Sequence, residues 1–205
     1  PLAKLPVGAY SGSSIIYDED ENAVYYVPGA VRTVRTSYLN YFFKYSVETN
    51  TWSEVSARPP AQVTTGSSMT YDGARYIYLT QGNNTNAWWR YDTCNGQSSC
   101  TPSWSSALPT IANFDQRDGG KILYKDGYIY AIRGAGYTNF FRCNTSLLPA
   151  SCWAAISDTL PAGGTGAGGM LVDGQDGYLY AVRGANTNNY DRWPLTGGAW
   201  QATPT

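Results

Sequence analysis

The feature that most constrains this chain is a fourfold internal repeat. A unit of about 50 residues that recurs along one chain has to bury its apolar faces against its own copies. Each copy opens on glycine and a short apolar strand: Gly12 to Asp18, Gly66 to Asp72, Gly120 to Tyr124 and Gly169 to Asp173. A turn rich in Asp and Gly leads into an aromatic and β-branched strand that ends in glycine, at Val24 to Gly29, Tyr76 to Gly82, Tyr128 to Gly134 and Tyr178 to Gly184. These terminal glycines lie 53, 52 and 50 residues apart, and a tyrosine stands four positions before each: Tyr25, Tyr78, Tyr130 and Tyr180. A third strand repeats an aromatic block followed by a basic residue, as Phe42-Phe43-Lys44-Tyr45, Trp88-Trp89-Arg90-Tyr91, Phe140-Phe141-Arg142-Cys143 and, in the loosest copy, Tyr190-Asp191-Arg192-Trp193. A fourth is marked by Trp52, Trp104, Trp153 and Trp200, and proline connectors follow at Pro59, Leu108-Pro109 and Leu160-Pro161. Four short strands per unit describe a propeller blade. The spacing therefore predicts an all-β fold, a β-propeller of four blades with four antiparallel strands each, in one domain with repeats at about 10–58, 63–109, 115–161 and 166–203.

Within this pattern Tyr45-Ser46-Val47-Glu48-Thr49-Asn50-Thr51-Trp52 resembles the Kelch family's run from a tyrosine through a Thr-Asn turn to a tryptophan, and the resemblance extends over nearly the whole chain. That family carries two consecutive glycines after strand two, whereas here the second position holds Ala30, Asn83, Ala135 or Ala185. The resemblance implies a Kelch-like propeller and invites comparison with copper-radical oxidases, which also carry such propellers. Their chemistry needs histidine ligands, and this chain has no His.

The absence of His also removes the commonest general base, the Ser-His and Cys-His nucleophile pairs and the commonest metal ligand. Carboxylate-only glycosidase chemistry needs two acids facing one cleft. The acids here cluster in turns such as Asp18-Glu19-Asp20-Glu21. That run places oxygens at alternate positions like the start of a calcium loop, but Ala23 stands where such a loop needs glycine. The reading is of a chain with no catalytic residues, no cofactor and no metal. With 14 basic and 15 acidic residues there is no electrostatic footprint for nucleic acid or anionic lipid. No apolar run approaches the roughly 18 residues that cross a bilayer.

Aromatics at 15% outnumber charged residues at 14%, the balance of a β-rich extracellular protein. The four cysteines form two close pairs, each just before the strand-four Trp of its repeat. A secreted chain would bond Cys94 to Cys100 and Cys143 to Cys152; two thiol pairs holding a metal are the alternative. Sequons at Asn83 and Asn144 would accept N-glycan. These features predict a secreted, cell-surface location. With no leader before Pro1, the chain is expected to be mature or part of a longer secreted protein.

Propellers present their strand two to three loops on one face, where sequence varies without disturbing the core. These loops carry Arg32, Arg35 and Tyr38 in the first repeat, Asn83, Asn84 and Asn86 in the second, Tyr137 in the third, and Asn186, Asn188 and Asn189 in the fourth. Arg133 and Arg183 precede a strand-two glycine where Pro28 and Gln81 stand in the other repeats. Lys44, Arg90, Arg142 and Arg192, by contrast, recur in every repeat and suit a supporting role, stem over aromatics and charge in water. Two functions fit: a protein-interaction or self-assembly module binding other proteins or its own copies, or a lectin-like module in which Tyr38 or Tyr137 stacks on sugar while Asn and Arg hold hydroxyls.

The linkers add an expectation about closure. Trp52 to Gly66 is 14 residues, Trp104 to Gly119 is 15 and Trp153 to Gly168 is 15. From Trp200 to Thr205 and on from Pro1 to Gly12 is 5 plus 12, or 17, with Leu5-Pro6 in the connector's place. The chain is thus expected to begin and end within one linker, and its four blades to close into one small ring.

Overall fold

The computed structural model describes residues 1–30, 40–110 and 112–202. Four separate antiparallel sheets follow one another along the chain, each a meander in sequence order. Blade one comprises β1 (Ser14–Asp18), β2 (Ala23–Val27), β3 (Phe43–Ser46) and β4 (Thr51–Glu54). Blade two comprises β5 (Met69–Tyr71), β6 (Tyr76–Thr80), β7 (Trp88–Asp92) and β8 (Ser103–Trp104). Blade three comprises β9 (Lys121–Lys125), β10 (Tyr128–Gly134), β11 (Tyr137–Asn144) and β12 (Trp153–Ile156). Blade four comprises β13 (Met170–Asp173), β14 (Tyr178–Val182), β15 (Tyr190–Pro194) and β16 (Gln201–Ala202). The four-by-four propeller arrangement read from the repeats is the one observed.

Alternation along each strand gives every blade two apolar faces, a leading face toward the next blade and a trailing face toward the previous one. Three interfaces result. Leading residues Tyr25, Val27 and Phe42 of blade one meet trailing residues Met69, Ile77, Leu79, Trp89 and Tyr91 of blade two. Tyr78 and Trp88 meet Ile129, Phe141 and Trp153 of blade three, with linker residues Leu108 and Phe114 between them. Tyr130, Ile132 and Phe140 meet Leu179, Trp193 and Trp200 of blade four, with linker residue Leu160.

One contact recurs in all three: the strand-three aromatic of one blade meets the strand-four tryptophan of the next edge to face. The centroid distances are 5.2 Å for Phe42–Trp104, 5.2 Å for Trp88–Trp153 and 5.1 Å for Phe140–Trp200. Each such pair contributes about 0.5–1.5 kcal/mol beyond its buried area. This accounts for the tryptophan of blades two, three and four, while Trp52 packs on Tyr26 and Tyr45 of its own blade.

The repeated basic residues support the blades. Arg90, Arg142 and Arg192 lie 4.4, 4.8 and 4.5 Å over Tyr76, Tyr128 and Tyr178, which occupy the same place in their blades. In blade one that place is Ala23, and Lys44 instead pairs with Glu21 at 2.8 Å and lies over Tyr25. Both disulfides form as expected, Cys94–Cys100 in the β7–β8 connection and Cys143–Cys152 between β11 and β12. Asp18 caps its hairpin turn, its Oδ1 accepting from the backbone N–H of Asp20 and Glu21. Among the described residues no helix is long and apolar enough to cross a membrane.

The first strands stand side by side around the centre in the order β1, β5, β9, β13. They line a cavity of about 790 Å³. The expected ring is corrected here: β13 makes no comparable approach to β1. Among the described residues the apolar cores join only successive blades, and there is no fourth aromatic interface. The N-terminal segment does take a linker's place against blade one, through Asn50 bonded to Pro1 and Ala3 and through Tyr26 Oη donating to the Val7 carbonyl. This covers only the outer half of the trailing face. Nearer the centre Ile15 and Tyr17 stay exposed, as do Met170, Val172 and Val182 on the leading face of blade four. The direction of each blade relative to its neighbour is set by side-chain packing, which no count of linker residues contains.

Candidate functional site

The strand two to three loops share one face with the starts of the first strands, because the glycine ending each second strand packs on the backbone that opens the repeat. A Cβ at Gly29 would collide with the carbonyl of Ser11, and one at Gly134 with the N–H of Gly120. The glycine is required by that approach and by its positive φ.

In blade two, Asn83 and Asn84 turn the chain with φ of 55° and 60°, and Thr85 Oγ1 donates to the Gly82 carbonyl at 2.7 Å. Thr85 also bridges to Gln116 in the next linker, and Asn86 Nδ2 donates to Thr110 Oγ1 at 3.1 Å. Asn83, Asn84 and Asn86 remain exposed, beside a hollow of about 430 Å³ lined by Asn84, Asn86, Phe114 and Asp115. In blade four, Asn186 and Asn188 are exposed on a loop held by Thr187 Oγ1 donating to the Gly184 carbonyl. Arg32, Arg35 and Tyr38 lie outside the described residues.

Blade three carries the most built part of this face. Its β10–β11 hairpin turns through Ala135 and Gly136, both at positive φ, the requirement of a tight two-residue turn. A register shift between Ile132 and Gly134 marks a bulge, a device that re-aims side chains. Arg133, at the bulge, is buried and pairs with Asp115 at 2.7 Å while donating to Asn139 Oδ1 at 3.3 Å. Asp115 also accepts from Arg117 Nε at 2.5 Å. Both guanidiniums face the ring of Tyr137, Arg133 at 3.8 Å and Arg117 at 5.1 Å from its centroid, and the tyrosine is 41% exposed. Two cations on one carboxylate leave a net positive group under an exposed aromatic.

Arg183, at the matching place in blade four, is spent differently. It grips Asp191 bidentately at 2.7 and 2.8 Å and donates to the Ala162 carbonyl at 3.0 Å. The hydrogen bonds and charge of Asp191 raise the Arg183 pKa further, so the guanidinium stays charged. Asp191 is fully buried and occupies the position filled by Phe43, Trp89 and Phe141 in the other blades. The loosest copy of the repeat thus exchanges an aromatic for an ion pair.

Of the expected loop residues, the structure brings Arg133 and Tyr137 together, ties Arg183 into the blade, and leaves the asparagines of blades two and four on the surface. Asp115, Arg117 and Asn139 escaped the sequence reading. The first two sit in a linker and match nothing in the other repeats, since Thr64 and Gly166 stand where Arg117 does. The glycan acceptors differ: Asn83 is exposed, while Asn144 is partly buried, with Oδ1 accepting from the Ser146 N–H and hydroxyl.

Fold and site together define an all-β, disulfide-bonded propeller arrangement of four blades with a polar loop face. No protein-family model matches the chain, and no curated protein matches it.

Proposed function

We propose that this protein is a non-catalytic, Kelch-like extracellular module that binds other proteins through its loop face and assembles through its blades. The observation that carries the binding half is the Tyr137 cluster. An exposed tyrosine held on a bulged hairpin and backed by two arginines has the composition of a protein hot spot, where Tyr and Arg are enriched. Both residue types are held by ion pairs and ring contacts before any partner arrives, so little ordering entropy opposes binding. The guanidinium 3.8 Å from the ring centroid occupies a face that a sugar would need for stacking, which favours protein over glycan. The chain's lack of His and the engagement of Asp115, Asp191 and Asp92 with arginines support a role without chemistry. Two formed disulfides support an oxidising, extracellular compartment.

The test is a binding screen against a panel of purified cell-surface proteins and a glycan array, each run with the wild type and with Tyr137→Ala. Protein binding weakened at least tenfold by Tyr137→Ala is expected. A glycan hit abolished by the same substitution would replace this reading with the lectin, and protein binding indifferent to Tyr137 would move the site elsewhere.

A further inference from the structure

The repeat itself shows what belongs on the two open faces. Counting from Gly12, Gly66, Gly119 and Gly168, the positive-φ glycine just before each first strand, the second residue on points forward and the third points back. Blade one meets blade two there as Ser14 Oγ accepting from the Met69 N–H at 3.0 Å, and blade two meets blade three as Ser68 Oγ accepting from the Ile122 N–H at 3.2 Å. The next members of these series are Met170, facing forward, and Ile15, facing back. Ser68 is 3% exposed and Met69 5%, whereas Met170 is 56% exposed and Ile15 59%.

These four glycines show the same gap. A Cβ at Gly12, Gly66 or Gly119 would collide with the carbonyl of Thr64, Arg117 or Gly166, in each case two residues before the next glycine of this positive-φ series. At Gly168 nothing lies within 4 Å of that place, although its φ of +79° is like the others. The residue that would fill it by the same count is Tyr10, which is exposed. Linker residues Leu108 and Leu160 are buried between blades, while Leu5, at their place before blade one, is exposed. The molecule carries both halves of a fourth interface on opposite ends of its blade series.

We propose that the leading face of blade four docks, head to tail, on the trailing face of blade one in a second copy of this chain, Met170 meeting Ile15 and the Tyr10 carbonyl seating over Gly168. This names the partner surface for the assembly half of the function above and rests on that reading. Two copies joined at two such contacts make eight blades, within the range of about four to eight that propellers use. Closure by a twofold axis leaves neither apolar face in water and stops growth at two copies.

All native cysteines are in disulfides, so single-cysteine variants report cleanly. Ile15→Cys and Met170→Cys, made separately, mixed and oxidised, are expected to give a mixed disulfide of two-copy mass at least tenfold faster than either variant alone. Met170→Lys, at an exposed position that the fold does not need, is expected to weaken self-association in sedimentation at least tenfold with an unchanged Tm. The proposal is overturned if the wild type sediments as a monomer at all concentrations and the mixed disulfide fails to form. It is equally overturned if a chain carrying both cysteines cross-links within itself, since blade one of the same copy then fills the seam. Tyr137→Ala lies on the loop face and leaves this assembly intact, so loss of partner binding and loss of self-association are separable results.

Discussion

The Arg183–Asp191 pair offers the sharpest test of how the fourth blade is held. Only 16% of the Arg183 side chain and 1% of the Asp191 side chain reach solvent, and both carboxylate oxygens are bonded to the guanidinium. Replacing Arg183 by Met leaves the Asp191 carboxylate buried without its cation, a loss worth about 3–5 kcal/mol. In a chain of 205 residues each kcal/mol moves Tm by about 2–4 °C, so a drop of roughly 6–20 °C is expected. Asp191→Leu alone strands the guanidinium and should cost a similar amount. The other blades fill this position with Phe43, Trp89 or Phe141, so an apolar side chain suits the site once the arginine is gone. The double variant Arg183→Met with Asp191→Leu is therefore expected within about 2 kcal/mol of the wild type, the residue being the lost bond to the Ala162 carbonyl and imperfect packing. Urea unfolding at pH 7 followed by tryptophan fluorescence gives all four corners of the cycle. Single variants that each cost under about 1 kcal/mol, or a double variant that costs the sum of the two, would show that the pair is not the coupled unit described.

Two further outcomes follow from particular contacts. Cys143→Ser with Cys152→Ser opens a local loop beside the second interface and is expected to lower stability by about 2–3 kcal/mol through unfolded-state entropy, read by thermal melting against the non-reduced protein; an unchanged Tm refutes it. The hydrogen bonds from Arg75, with the Cys94 N–H and the arginine's charge, hold the Asp92 carboxyl below its usual range. A depressed carboxylate pKa adds stability that is present above the ordinary value near 4 and is lost as pH falls through the lower folded value. The Tm difference between wild type and Asp92→Asn should thus narrow as pH falls from about 5 toward 2, and a gap independent of pH would remove Asp92 as its source.

Strand identity, blade count, both disulfide pairings and the supporting basic residues were legible in the sequence because each is a local property that recurs four times or sits within a short loop. A tyrosine four residues before every strand-two glycine and a tryptophan in every fourth strand mark positions, and pleat alternation then assigns them to faces. The Tyr137 cluster was only half visible. Arg133 and Tyr137 stand out as departures from the repeat, but Asp115 and Arg117 reach them from a linker whose path depends on where blade three sits. The aromatic missing at Asp191 is legible in the sequence, but the fork of Arg183 that satisfies the carboxylate is a contact between neighbouring strands. Closure was beyond the sequence altogether. Each interface involves only neighbouring blades, so the repeat specifies what blade four and blade one present but not the angle between successive blades. That angle arises from how Phe42, Trp88 and Phe140 seat against Trp104, Trp153 and Trp200, and the tertiary structure alone decided that the series stops short of its own beginning.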